Sequence, residues 1–572
     1  QYGINIRDAS QGLSIPMALD SRGRIVDLEL GGKDSAHGFI SGGTNSGKST
    51  LLHTIILSAC LHYTPEDLEI WLVDYKQTEF ALYRDRPMPH IKMIGLSKTE
   101  DFTFSLLDRI EEEGIRRSDL LTHFHAQNLE QYRAHEGEPG YEVLPRLLII
   151  VDEFHEMSQF VSGSQVYRDK LENVLREYRA QGLTFLLADQ TFSSGLSGLS
   201  IAAKNQIGMR IAMRNEVNQQ EIKDTLAVDN ALYSDSINKT IAMMAQGDFL
   251  KKTIIKDQNG VVRDVRLEKY RAMLSLNDDI VAVGRLTRRT YRGWPMRKKL
   301  VYVNTKDQAP WSDWDVAQLD EQNPVNSADV RLYLGQAATI RPCFNIDLGC
   351  MPDENLSVVG GTPAQRWELL VSVLHSCHRN GYKTIVFMAE QSTLMRNYAD
   401  EIRAACRCVP GAELYESLED WCWKLRELAN YLDNKSSKQD MVCIFIGLET
   451  EAEYMQRIGN RSRGLRLPGV MIQNSPAHGS EATEFDVREL ILQLFSQGGV
   501  QGIRCVTEIS VFRNLNSFVK IGDYCKHKIA FNMSADDCLM YLGSSSFQKS
   551  IGNFAVYSDG SKTVSKLLPY KK

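Results

Sequence analysis

Residues 42–50 read GGTNSGKST, an order that suits phosphate binding. Glycines let backbone approach an anion closely, and the amides of residues 43–49 can point inward around it, helped by the positive end of a following helix. Lys48 would reach the β and γ phosphates of ATP, and the Ser49 hydroxyl would ligate Mg2+. Gly42, Gly43, Thr44, Asn45, Ser46, Gly47 and Thr50 complete the expected nucleotide cradle. Such a loop also needs a carboxylate at the end of a neighbouring buried strand. LPRLLIIVDEF (144–154) supplies Asp152 as the second magnesium ligand, and Glu153 next to it is placed to polarise the attacking water. GLTFLLADQ (182–190) ends on Gln190, whose amide could sense the γ-phosphate or orient that water. The catalytic set expected from the residues is therefore Lys48, Glu153 and Gln190.

These side chains need a parallel sheet to hold them. The segment from Gly23 to Tyr63 runs from a strand through the glycine-rich turn into an apolar helix starting near Lys48. LEIWLVDYK (68–76) and GLTFLLADQ are two more apolar runs, each following a helical stretch, so strand and helix alternate as in an α/β fold. DKLENVLREYRAQG (169–182) and ESLEDWCWKLRELANYLDNK (416–435) have the apolar stripes of helices packed on a core.

Length and composition set the frame. A chain of 572 residues exceeds one ordinary core, and 43% hydrophobic with 24% charged residues fits a folded protein throughout. A net charge of -6 provides no global basic field for nucleic acid, although a local basic lining could still serve. No run approaches the roughly 18 apolar residues that cross a bilayer. The chain itself is expected to be soluble, and its start at Gln1 rather than Met suggests a processed or excised chain, which leaves room for a membrane anchor upstream. Ten of the eleven cysteines lie from Cys343 onward, and neither HSCH (375–378) nor CRC (406–408) has the paired spacing of a zinc site. His155 in DEFHE lacks a second histidine four residues on and reads as a partly exposed polar residue.

The second half repeats the first without its chemistry. GGTPAQRW (360–367) copies the opening of GGTNSGKS at an offset of 318; Gly182 to Gly502 is an offset of 320, and Arg210 to Lys528 is 318. A constant offset at separated landmarks argues for duplication. RPCFNIDLG (341–349) answers to GRIVDLELG, and MVCIFIGLE (441–449) is the candidate for the second acidic strand. Gln365 replaces a loop glycine, Arg366 the lysine and Trp367 the magnesium-binding serine. Gly447 and Leu448 are expected at the positions of Asp152 and Glu153, and Gly499 at that of Arg179. The expected domains are 1–305 with intact chemistry, a polar linker at 306–330, and a degenerate copy at 331–572.

LPRLLIIVDEFHEM, REYRAQGLTFLLADQTF, GMRIAMRNEVNQQEI and AQGDFL, with RRSDLLTHFHAQNLEQYR (116–133), follow the order seen in the FtsK/SpoIIIE family of hexameric motor ATPases, and the resemblance covers roughly residues 15–255. Two departures stand out: Asp189, where relatives often carry threonine, and Phe192, where an arginine and proline are common. The resemblance implies two tandem RecA-like P-loop NTPase domains with mainly parallel central sheets. By matching position it also implies that Arg179, on its own only a helix-end cation, reaches a neighbouring subunit's nucleotide in trans. Tandem domains with a degenerate member look like the EccC/EssC type of type VII secretion motor. That implies a homo-oligomer, a hexamer when active, at the cytoplasmic face of the cell membrane, together with other membrane secretion components and a secreted helical protein as substrate. The alternative is a double-stranded DNA translocase of a conjugative or defence system. A third reading makes the chain a binding module whose first site only senses ATP.

Overall fold

The computed structural model describes residues 6–571 except 33–34, 87, 197, 216–219, 227–234, 257–261, 293–299, 307, 309, 327, 341–342, 434–439, 451–486, 514–520, 549–553 and 561–563. The chain divides into two compact units, 1–306 and 307–572.

The first unit is built on β1 (Leu13–Leu19), β2 (Ile25–Leu30), β3 (His37–Ser41), β4 (Leu68–Asp74), β5 (Ile91–Leu96), β6 (Arg146–Asp152), β7 (Leu183–Asp189), β8 (Ile207–Met213), β9 (Asp248–Lys256), β10 (Val262–Ala272) and β11 (Val301–Asn304). Their order across the sheet is β11-β5-β4-β6-β7-β3-β8-β9-β10-β1-β2. The strands from β11 to β8 run parallel and the rest antiparallel. Every residue of β4, β6 and β7 is buried, which is why these segments read as unbroken apolar runs: helices cover both faces of a parallel sheet. The helix Lys48–His62 is buried all round from Leu51 to Cys60 and inserts Leu51, Leu52, Ile55 and Ile56 into the core with Ile40, Leu148, Ile150 and Leu186. It stops at Tyr63 because Pro65 disfavours helix for the residue before it.

The second unit repeats this plan. Its strands are β12 (Val330–Ala337), β13 (Phe344–Leu348), β14 (Leu356–Val359), β15 (Lys383–Met388), β16 (Glu413–Tyr415), β17 (Met441–Ile446), β18 (Ile503–Ile509), β19 (His527–Ala530), β20 (Ala555–Ser558) and β21 (Ser565–Pro569). The order β16-β15-β17-β18-β14-β19-β20-β21-β12-β13 reproduces that of the first unit from β5 to β2. The register agrees too: Arg210 pairs with Phe39 on β3, and Lys528 with Ser357 on β14, both members shifted by 318. The segment expected to be a linker carries a helix, Asp313–Gln322, whose Val316 and Leu319 are buried with Tyr333, Cys343 and Tyr570 of the second unit. Partners as distant in sequence as Tyr570 supply its anchoring surface, which a local polar composition does not reveal. All eleven cysteines are free thiols. Among the described residues no helix is long and apolar enough to cross a membrane.

One turn prepares the site. Asp74 ends β4 fully buried, and its carboxylate accepts from the amides of Lys76 (2.8 Å) and Gln77 (3.0 Å) through one oxygen and of Thr78 (2.8 Å), Glu79 (2.8 Å) and Phe80 (3.4 Å) through the other. An acceptor-only group thus satisfies a whole turn of otherwise orphaned donors. Asp74→Asn, which turns an amide group toward those donors, is expected to lower the stability of this unit by roughly 3–5 kcal/mol in urea denaturation. A loss below about 1 kcal/mol would show that the turn holds itself.

Candidate active site

In the first unit the loop after β3, the ends of β6 and β7 and the Asp74 turn surround one cleft of about 250 Å³. Residues 42–50, Asp152, Glu153 and Gln190 all line it, joined by Lys76, Glu79 and Gln246. Gly47 precedes the helix at φ 96°, and a Cβ there would stand 3.2 Å from the amide nitrogen of Gly247, so only glycine lets the loop pass. Among the described residues the amides of Thr44, Asn45 and Gly47 have no acceptor, and Ser46 Oγ is buried without a partner. Together they leave a cradle of free donors.

Lys48 Nζ is bonded to Asp152 Oδ1 and lies 3.6 Å from Glu153 Oε1. Burial pulls the lysine pKa down, but the two carboxylates outweigh it and the ammonium is held charged. Burial raises Asp152 despite that partner, so the acid side of the pair bears the desolvation. Glu153 sits in the left-handed region at φ 54°, an unusual backbone for a residue with a Cβ, and Gln190 Nε2 faces its two carboxylate oxygens at 3.3 and 3.4 Å. The structure therefore brings Lys48, Ser49, Asp152, Glu153 and Gln190 together. Arg179 is elsewhere: it precedes β7, whose seven residues put it about 20 Å from the strand end at Gln190, and it donates to the Gly32 carbonyl at 2.6 Å.

The departure at Asp189 pairs with His155. Asp189 accepts from the His155 amide at 2.6 Å and from its ring nitrogen at 3.1 Å, and the same ring lies 3.6 Å from Glu153. Burial raises the Asp189 pKa. Phe192 stacks edge-on against Phe39 and lies under the guanidinium of Arg210 at 4.7 Å. Sequence reasoning missed Lys76, Glu79 and Gln246. The signal for the first two was present in the acid ending the LEIWLVD strand, but only the turn shows where it points.

The equivalent place in the second unit has been rebuilt. The helix after β14 begins at Pro363 with Thr362 as its cap, whereas its counterpart begins at Lys48. At the offset of 318, Pro363, Ala364 and Gln365 answer to Asn45, Ser46 and Gly47, so three residues of the phosphate loop have become helix. The Thr362 amide is taken by Gln365 Oε1 at 3.0 Å. Arg366, at the position of Lys48, donates to the carbonyls of Gly360 (2.9 Å) and Gly361 (2.8 Å) and to Thr393 (2.7 Å), and pairs with Glu508. Trp367, at the position of Ser49, is buried and stacked on Tyr398. The acidic positions need a correction of one residue. Asp152 pairs with Ala188 and Ile446 with Glu508, so Ile446 replaces Asp152 and Gly447 replaces Glu153. The left-handed φ of 69° at Gly447 matches that of Glu153. The two strand intervals differ in length, which blurred the register in the sequence.

Residues 4–194 match the FtsK/SpoIIIE family. The chain is 30% identical over 185 residues to the ESX secretion system protein EccC of Geobacillus thermodenitrificans, an alignment covering 32% of this chain and 12% of that protein. It is 26% identical over 266 residues to the DNA translocase FtsK of Leptospira interrogans, covering 45% of this chain and 26% of that protein. Among solved structures, the cytoplasmic domain of the Thermomonospora curvata type VII secretion ATPase EccC has a TM-score of 0.59 at 17% identity, over 99% of this chain and 65% of that chain. EssC ATPases 2 and 3 from Geobacillus thermodenitrificans give 0.52 at 14% identity, over 100% of this chain and 99% of that chain. At such identities the structural likeness concerns the fold alone, which is two RecA-like domains in tandem.

Arg366 faces two buried acids in the second unit. Glu449 accepts from the Ser510 amide at 2.6 Å through one oxygen, while the other is buried without a partner among the described residues. Burial, then the charge of Glu449, pushes Glu508 up to about 7. An acid with a raised folded pKa binds its proton more tightly when folded, so stability is fully present below its unfolded value of 4.5 and is lost as pH rises toward about 7. Five of the seven tryptophans (Trp311, Trp314, Trp367, Trp421 and Trp423) lie in this unit and report its unfolding. The urea midpoint followed by their fluorescence is expected to fall across that window, and Glu508→Gln is expected to flatten the fall whatever its effect on absolute stability. An unchanged slope would show that Glu508 does not titrate there.

Proposed function

We propose, from a first unit that matches the FtsK/SpoIIIE family and a second that shares its fold, that the chain is an ATP-hydrolysing motor serving a type VII protein secretion system. Its second unit is catalytically silent and serves regulation or substrate docking. The observation that carries the reading is the contrast between the clefts: one presents free donors beside an acid pair, the other is filled by its own Arg366 and an extended helix.

The first cleft fits ATP and magnesium by its donor set. Free loop amides, Ser46 Oγ and Lys48 suit an anion, and the hard oxygens of Ser49 and Asp152 suit a small divalent cation. Bound magnesium supplies charge neutralisation at the phosphate oxygens. Lys48, charged and held by Asp152, is poised to turn toward phosphate. Glu153, fixed by its left-handed backbone and by Gln190, would accept a hydrogen bond from an attacking water and orient it. Arg179, at the far end of β7, is available to a neighbouring subunit, so turnover belongs to a homo-oligomer, a hexamer in this reading. The full-length protein then sits at the cytoplasmic face of the cell membrane with other secretion components, and a secreted helical protein is its cargo. What favours a second reading, a double-stranded DNA translocase, is the longer alignment with the translocase FtsK.

The deciding experiment is steady-state ATPase of the chain with and without long double-stranded DNA at two salt concentrations, with Lys48→Ala as blank. A rate indifferent to DNA is expected, and Glu153→Gln is expected to lower it by about 10²–10⁴ while retaining nucleotide. Strong, salt-sensitive stimulation by DNA would favour the translocase instead. In mixed assemblies, Arg179→Ala subunits are expected to depress the turnover of their neighbours; normal turnover in an all-Arg179→Ala assembly would remove the finger. Calorimetric titration with a non-hydrolysable ATP analogue is expected to find one site per chain, abolished by Lys48→Ala. A second site would contradict a silent second unit.

A further inference from the structure

Ser49 and His53 are four residues apart on the helix Lys48–His62 and so share a face. Opposite them stands Glu79, presented by the Asp74 turn. Its amide is tied to Asp74, but its side chain takes no part in that scaffold and makes no cap to the following helical turn. His53 Nε2 lies 3.7 Å from Glu79 Oε2, and His53 Nδ1 lies 2.9 Å from the Tyr83 hydroxyl, both rings being buried. A carboxylate can only accept, so the ring proton faces Glu79 and Tyr83 donates to Nδ1. Glu79 also forms the wall between two clefts: it lines the nucleotide cleft and a neighbouring one of about 550 Å³, and Ser49 borders both.

A serine hydroxyl that gives an oxygen lone pair to a cation must place its proton elsewhere. From this geometry we infer that Glu79 is a positioning residue for the magnesium ligand, accepting the Ser49 proton so that the hydroxyl oxygen faces the metal, with His53 and Tyr83 fixing the carboxylate. The inference rests on the ATP and magnesium reading of this cleft. It assigns no contact between Glu79 and the metal itself, since outer partners of this kind act by orienting a ligand.

The test uses the full chain and a fluorescent non-hydrolysable ATP analogue, titrated with MgCl2 and also measured in EDTA. Glu79→Ala is expected to raise the magnesium concentration at half-saturation about ten-fold, with metal-free affinity changed by less than about two-fold. Glu79→Gln, which keeps a weaker acceptor in the same shape, is expected to fall between, and it carries the test should the alanine variant unfold. In a Ser49→Ala background, Glu79→Ala is expected to add nothing, because the group it orients is gone. An unchanged magnesium requirement, an additive loss in the double variant, or an equal loss in EDTA would each overturn the proposal while leaving the ATP site intact. A wild-type chain whose nucleotide binding ignores magnesium would overturn the underlying reading as well.

Discussion

Both units bury a cation in the first turn of the helix that follows their central strand, and a buried cation without a partner costs about 3–5 kcal/mol. That requirement organises everything near it. In the first unit Lys48 is satisfied by Asp152 at the end of β6. In the second, Arg366 is satisfied by Glu508, which lies on β18, the strand equivalent to β7 rather than β6. The longer guanidinium reaches an acid one strand further over, and its remaining donors close on the loop carbonyls. The charge pair has been conserved as an electrostatic unit while its geometry has moved. An ammonium held by one acid can exchange that partner for phosphate; a guanidinium with acceptors on every side has no reason to.

The same relocation occurs at the opposite ends of these strands. Arg146, at the start of β6, donates to the carbonyls of Ala9 (2.7 Å), Ser10 (2.8 Å) and Gly31 (3.3 Å), tying the leading segment to the first hairpin. Arg504, on β18, does this for Ala328 (3.0 Å) and Leu348 (3.2 Å). Its partner in the duplication is Thr184 on β7, not Arg146. Buried guanidinium groups must spend their donors on carbonyls, and either neighbouring strand can deliver one to that spot. Sheet order and register are therefore more durable than the identity of the strand carrying a given charge.

This explains what could be read from the chain alone. The parallel strands were legible because burial on both faces writes continuous apolar runs, as in LLIIV and TFLLA. Lys48, Ser49, Asp152, Glu153 and Gln190 were legible because each ends or follows such a run at the loop side of the sheet. Glu508 was not, since an acid inside the buried run IRCVTEI has no local signal of its partner 142 residues earlier. Glu79 was hidden for another reason: Asp74 folds the turn through five amides, and backbone donors leave no trace in sequence. The helix at Asp313–Gln322 was obscured by its polar face, its anchoring residues being only Val316 and Leu319. The one-residue error at Gly447 arose where loop lengths differ and periodicity gives no landmark.

The backbone at that position gives a further argument. After β6 and after β17 the chain turns through the left-handed region, at φ 54° in Glu153 and 69° in Gly447. Glycine takes this conformation freely, whereas a residue with a Cβ is disfavoured by about 1 kcal/mol or more. The second unit has the unstrained residue and no carboxylate; the first keeps a glutamate where glycine would fold better. Strain of this kind persists only where the surroundings over-determine it, and here they do: Gln190 faces the carboxylate and Lys48 and His155 stand near it. The comparison within one chain separates what the fold needs, which is a turn with positive φ, from what the cleft needs, which is an acid at that turn. Its loss in the second unit goes with the loss of the phosphate loop, because an acid oriented at nothing offers no return for its strain and its desolvation.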